Sequence, residues 1–255
     1  MSEVTLHIDG PIATLTLKNE AKYNALTTSM LRDLTAHCGT LEASAVRAVV
    51  LSGAGPKAFC TGADIIEWAQ LSPREFARHW VRLGHRVFDR IARLPMPVIG
   101  ALNGHAMGGG LELAACCDLR VMTPRATLAL PETGVGIVPG WSGTQRLARQ
   151  IPAAVLKEMA LLGRRIGSDR ALAMGIVNAV AEDTQAEAQT MAAEIAARAP
   201  EATEVGKTLI AAAYDEDKDA ALEALGGWIQ AGSPEKAEGV AAFAEKRSPD
   251  FGDRQ

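Results

Sequence analysis

Two glutamates set among glycines and apolar residues are the groups of this chain best suited to moving protons. In "GHAMGGGLELAACCD", residues 104–118, three glycines open an apolar stretch with Glu112 in its midst. The first amides of a helix have no partner within it and face outward with the positive end of the dipole. Glycines let a foreign oxygen come close to such a backbone. The turn through Gly108, Gly109 and Gly110 can therefore hold an anion, or an oxyanion that develops during a reaction. Glu112 falls in the first turn of the helix. The dipole there favours its charged form, whereas desolvation would raise its pKa. An ionised, partly buried carboxylate beside an anion hole suits a general base. GGG before a helix also occurs where helix and strand simply pack closely, so the motif needs partners.

Two further segments supply them. In "GPKAFCTGADIIEW", residues 55–68, a loop passes through Thr61, Gly62 and Ala63 into a helix beginning near Asp64. The Ala63 amide would be a second free donor, and two donors from separate turns make an oxyanion hole. In "LALPETGVGIVPGWSGTQRL", residues 128–147, Glu132 follows a short strand and a proline. A carboxylate in such a loop is a candidate proton donor, because apolar surroundings raise its pKa. A capping Asp in an ordinary loop and a surface glutamate are the plain alternatives for these two segments.

The elements that must position these groups are alternating strands and helices. "VTLHIDGPIATLTL" reads as a β-hairpin about Asp9, Gly10 and Pro11. "VRAVVLSG", "MPVIGALNG" and "DLRVMT" are short apolar runs typical of strands buried on both faces. Leu31, Leu34, Cys38 and Leu41 recur at helical spacing. The clearest helix is "SPREFARHWVRLGHRVFDRIARL". Ser72 caps it, Pro73 takes its first turn and Glu75 completes a capping box. Its expected apolar stripe is Phe76, Trp80, Leu83, Val87, Ile91 and Leu94. Strand signals stop near residue 180 and alanine-rich helices take over, the last capped by Ser233 and Pro234. The pattern predicts an α/β fold with a helical C-terminal region.

The 255 residues, 48% hydrophobic, suffice for one sizeable core. A net charge of −4 offers no basic field for nucleic acid. The four cysteines, Cys38, Cys60, Cys116 and Cys117, form no CxxC pair, so neither zinc nor a disulfide framework is expected. "MSEVTLHIDG" lacks the features of a signal peptide, and no apolar run approaches a membrane span. A soluble, cytoplasmic protein is expected. "GHAMGGGLE" is not GxGxxG and lies far from the first strand and helix, against a dinucleotide fingerprint.

Six segments, "AKYNAL", "KAFCTGADI", "NGHAMGGGLELAACCDLR", "PETGVGIVPGWSGTQRL", "GRRIGSDRALAMGIVNAV" and "AFAEKR", stand in the order in which the crotonase, or enoyl-CoA hydratase/isomerase, superfamily has them. The chain resembles that superfamily over essentially its whole length. The resemblance implies a crotonase-like spiral of repeated β-β-α units, a catalytic core over 1–195 and a helical oligomerisation region over 196–255. It implies acyl-CoA thioester substrates and self-association as a trimer or dimer of trimers, with no nucleic-acid or membrane partner. It implies no separate cofactor, coenzyme A being part of the substrate. The amides of Ala63 and Gly109 match the oxyanion hole of the family. Glu112 matches the residue that activates water, Glu132 the one that protonates the α-carbon, and the Gly140 amide would help hold the water. Lys22, Ala25, Ala63, Asp64, Ile65 and Lys246 match regions that meet coenzyme A, Lys246 from a neighbouring subunit.

This pattern implies hydration of a 2-enoyl-CoA. Isomerisation or hydrolysis of acyl-CoA, or a non-catalytic member binding acyl-CoA or RNA, are the alternatives. Four positions depart from the common pattern. Trp141 and Ser142 stand where small residues are usual, Ile66 where a lysine is frequent, and His105 before the glycines. Trp141 could shape the acyl pocket, crowd the water, or point into the core or a subunit contact. His105 could line the pocket or serve the fold. His7, His37, His79 and His85 have no partner motif and receive no role.

Overall fold

The computed structural model describes residues 2–216 and 218–251. Strands β1 (Glu3–Asp9) and β2 (Ile12–Lys18) form the expected hairpin, closed at Asp9 and Ile12. Helix α1 (Thr28–Glu42) comes next, capped by Thr27, whose hydroxyl accepts from the Met30 amide. Leu31, Leu34, Cys38 and Leu41 are buried along it as their spacing predicts.

Three successive units then repeat one path. β3 (Ala48–Gly53) leads to β4 (Ala58–Cys60) and on to α2 (Ile65–Trp68), α3 (Pro73–Glu75), a π-helical turn (Phe76–Val81) and α4 (Arg82–Ala92). β5 (Val98–Leu102) leads to β6 (His105–Met107) and α5 (Gly109–Ala115). β7 (Leu119–Met122) leads to β8 (Thr127–Ala129), a 3-10 turn (Glu132–Val135), α6 (Gly143–Gln150) and α7 (Ala153–Leu162). The short β9 (Ile166–Gly167), α8 (Ser168–Ala173) and β10 (Ala179–Val180) complete the sheets before α9 (Thr184–Ala196).

Each unit gives one strand to each of two sheets. The larger has the order β1-β2-β3-β5-β7-β10, and the smaller β4-β6-β8-β9. β3, β5 and β7 run parallel in the first, and β4, β6 and β8 run parallel in the second. This is the spiral of β-β-α units. The continuous apolar runs of the larger sheet reflect burial on both faces. Ala48, Val50, Ile99, Ala101 and Val121 meet Ala188 and Ala192 of α9 on one face, and Val49, Leu51, Val98 and Leu102 join the main core on the other.

The helix at 73–92 departs from its expected pattern in one respect. Ser72 makes the capping box with Glu75. The apolar stripe, however, does not run straight through. Trp80, Val87, Ile91 and Leu94 are buried, but Gly84 and Phe88 also turn inward while Leu83 stays half-buried. The π turn at Phe76–Val81 adds a residue to one helical turn and shifts the phase of every later turn.

The chain divides into two compact units, Met1–Thr203 and Glu204–Gln255, with the division inside α10 (Pro200–Ala213). The second unit continues through α11 (Lys218–Ala231) and α12 (Pro234–Glu245), the latter capped by Ser233. Among the described residues no helix is long and apolar enough to cross a membrane.

Candidate active site

The three short parallel strands of the smaller sheet end side by side, and each delivers a functional segment. After β4 the chain turns at Gly62, where φ is +100°, a value that disfavours any side chain. The Leu26 amide donates to Gly62 O at 2.7 Å and the Asp64 amide donates to Leu26 O at 2.9 Å. The Ala63 N–H between them meets no acceptor among the described residues. After β6, Gly108 donates to Ala129 O at 2.9 Å, and its own carbonyl accepts from Leu111 and Glu112. The Gly109 N–H opens α5 and likewise meets no acceptor among the described residues. The two turns lie back to back. A Cβ on Gly62 would come within 3.1 Å of Gly109 N, and one on Gly109 within 3.4 Å of Gly62 Cα. A Cβ on Gly110 would overlap the Cys60 carbonyl. The glycines thus serve close packing and free donors together.

Glu112 sits one turn into α5 and is only 2% exposed. Its Oε1 accepts from the amides of Trp141 at 2.9 Å and Gly143 at 2.8 Å. Burial raises its pKa. The amides of Gly143, Trp141 and Gly140, and then His85, oppose that rise without cancelling it. Desolvation therefore outweighs the factors that favour charge, and the residue is more deeply buried than the sequence suggests. Gly143 is required here too, since a Cβ on it would overlap the Glu112 side chain.

Glu132 follows β8 in the 3-10 turn and is 7% exposed, not a surface glutamate. Neither carboxylate oxygen finds a partner from another residue among the described ones. Its carboxylate stands against the second turn, Oε1 lying 2.9 Å from where a Gly108 Cβ would be. Burial pushes its pKa up to about 7, and the charge of Glu112 adds to the shift. A raised pKa is what the apolar loop predicts.

The raised pKa also bears on stability. Below the ordinary value of 4.5 the side chain is neutral in both folded and unfolded chains, whereas above about 7 it is charged in both. The buried charge then burdens only the fold, so stability is lost as pH rises across that window. Glu132→Gln should match the wild type in unfolding at pH 4 and exceed it by ~1–3 kcal/mol at pH 8. Equal stability at both pH values would contradict a buried, unpaired carboxylate.

One cavity of about 140 Å³ brings Ala63, Gly109, Glu112, Glu132 and Gly140 into a common wall. The rest of its lining is mainly apolar, including Ile65, Trp68, Phe76, Trp80, Val81 and Trp141. Trp141 both lines the cavity and packs inward, 3% exposed, with ring centroids 5.4 Å from Trp80 and 5.1 Å from Phe88. His105 serves the fold: its Nδ1 accepts from the Thr127 amide at 3.1 Å, and it does not line the cavity.

The other sequence-selected residues are spread more widely. Asp64 caps α2 by accepting from the Ile66 amide and binds Lys22 Nζ at 2.5 Å. Ile65 is half exposed at the cavity. The Ala25 carbonyl accepts from Asn19 Nδ2 at 2.7 Å. Lys246 is an exposed residue of the second unit, with φ +54° at the end of α12. Sequence reasoning missed His85. It contacts the Ser142 hydroxyl at 2.9 Å and faces Asp89 at 3.3 Å, beside the loop that holds Glu112. The i,i+4 spacing of His85 and Asp89 was the available signal.

Two mixed, mainly parallel sheets wound from β-β-α units, with amides that meet no acceptor and buried carboxylates on one cavity, define a crotonase-type fold. The chain belongs to the enoyl-CoA hydratase/isomerase family, whose model matches residues 7–254. It is 37% identical to a short-chain-enoyl-CoA hydratase of Clostridium acetobutylicum, over 97% of this chain and 96% of that protein. It is 34% identical to a crotonyl-CoA hydratase of Syntrophomonas wolfei, over 97% of each. Its fold matches the crystal structure of an enoyl-CoA hydratase from Bacillus anthracis with a TM-score of 0.81 and 33% identity, covering 97% of this chain and 98% of that one.

Proposed function

We propose that the chain is an enoyl-CoA hydratase adding water across the 2,3 double bond of a 2-enoyl-CoA. One observation supports this above the others: two unbonded amides and two buried carboxylates share a cavity wall. The amides of Ala63 and Gly109 hold the thioester oxygen. Each donor contributes ~3 kcal/mol once that oxygen gains enolate charge. Glu112, ionised, takes a proton from water as the water oxygen bonds to C3. The C=C electron pair moves onto the thioester oxygen. The Gly140 amide, which also favours the charged form of Glu112, helps place the water. As the carbonyl re-forms, Glu132 gives its proton to C2. Exchange with solvent restores both carboxyl groups.

Glu132 must be protonated and Glu112 ionised, so kcat/KM should be bell-shaped in pH. Its alkaline limb should fall with an apparent pKa near 7, as Glu132 loses the proton it donates. The two carboxylates interact, so the two limbs belong to the pair. A rate that keeps rising through pH 8 would remove Glu132 as the donor.

The direct test is to follow 2-butenoyl-CoA by ultraviolet absorbance and mass spectrometry. Loss of the conjugated absorbance with gain of one water supports hydration. Release of free coenzyme A, or a product of unchanged mass, would assign one of the other family reactions. In the same proposal coenzyme A enters as substrate, passing Lys22, Ala25, Asp64 and Ile65, and the reaction uses only groups of the chain. The helical region 196–255 mediates assembly into trimers or dimers of trimers, in the cytoplasm. Its exposed Leu209, Ile210, Ile229 and Phe243 favour such an interface, with Lys246 reaching a neighbouring subunit's site.

A further inference from the structure

The indole of Trp141 is wedged between two glycines. A Cβ on Gly84 of α4 would overlap its Cε2 and Nε1 edge. A Cβ on Gly109 would lie 2.9 Å from Cε3, on the opposite edge. The ring is therefore fixed from behind by a missing side chain and ends beside the residue whose amide faces the thioester oxygen. Trp80 packs on it at 5.4 Å with the planes tilted by 48°, and both indoles are about 95% buried while lining the cavity. The π turn makes this arrangement. By widening one helical turn it presents Trp80 and Val81 to the cavity and carries Gly84 and Phe88 round to Trp141.

We infer that Trp141, seated on Gly84 and backed by Trp80, is the wall that sets acyl size, selecting short 2-enoyl groups over long ones. The inference rests on the hydratase reading and deepens it. With the carbonyl at Ala63 and Gly109, carbons beyond C3 run into the apolar end of the cavity. A rigid ring wedged on both edges yields little to them. One methylene in such a pocket is worth ~10-fold or more in specificity, so a single wall residue can decide chain length.

The test is the ratio of kcat/KM for 2-decenoyl-CoA to that for 2-butenoyl-CoA. Trp141→Leu keeps the backbone amide that binds Glu112 and removes the ring, and it should raise the ratio ~10-fold or more. Trp141→Phe leaves a smaller ring in the slot and should raise it less. Gly84→Ala should act in the opposite sense. Its Cβ drives the indole toward the cavity, so the ratio falls. Should Trp141→Leu fail to fold, the opposite shifts of Trp141→Phe and Gly84→Ala carry the test. Ratios within twofold of wild type in the folded variants, with hydration intact, would overturn the wall and leave the hydratase reading standing. A wild type that hydrates neither thioester would overturn both.

Discussion

Glu112→Gln should lower kcat by ~10³-fold, and Glu132→Gln by a similar factor, within the range that general acid–base groups contribute. Glutamine matches glutamate in shape. At Glu112 its oxygen can still accept from the Trp141 and Gly143 amides that now bind Oε1. The loop at 140–143 therefore stays in place, and only the ability to take a proton from water is lost. At Glu132 no hydrogen bond from another residue is at stake. The amide also relieves the fold of a buried charge. Activity and stability should then move in opposite directions at pH 8, a combination that a merely structural glutamate would not give. Steady-state kinetics with 2-butenoyl-CoA, alongside unfolding curves, measures both. A kcat within tenfold of wild type in either variant would exclude that carboxylate from the chemistry.

Gly62→Ala should lower kcat by ~10²-fold with a smaller change in KM. Alanine at φ +100° is strained by ~1–3 kcal/mol. Its Cβ would also stand 3.1 Å from both Gly109 N and Met107 O. The strain is relieved by moving the 61–63 turn away from α5, which separates the two amide donors. A misplacement of ~1 Å at a reacting centre costs ~10²-fold, comparable with losing one oxyanion donor outright. The loss falls mainly on kcat because the donors bind the enolate more strongly than the ground-state carbonyl. A variant with unchanged kcat would mean that the Ala63 amide does not hold the oxygen.

Much of this site is legible in the sequence because its parts are local. A glycine run leading to a carboxylate reports a free helix start and a nearby base within a few residues. A glutamate after a proline in an apolar loop reports its own raised pKa. Strands β3, β5 and β7 of the larger sheet are legible as apolar runs. β4 and β6 are not, since three residues show no alternation. The π turn leaves no compositional mark, so spacing finds Val87, Ile91 and Leu94 but not the inward turn of Gly84 and Phe88 beside them. The setting of Trp141 on Gly84, and of Ser142 on His85, joins residues more than fifty positions apart. No periodicity within either segment encodes such a contact. The extent to which Glu112 is buried likewise depends on a loop that returns from residues 140–143.

The smaller sheet gives the site a built-in ruler. Ala63, Gly109 and Glu132 each leave the end of a neighbouring parallel strand, and such strands stand ~4.8 Å apart. The pitch of a backbone ladder, rather than the lengths of side chains, thus spaces the two amides and the carboxylate that the proposed reaction brings to one thioester. A one-residue insertion within β4, β6 or β8 would destroy the register even with every functional residue retained.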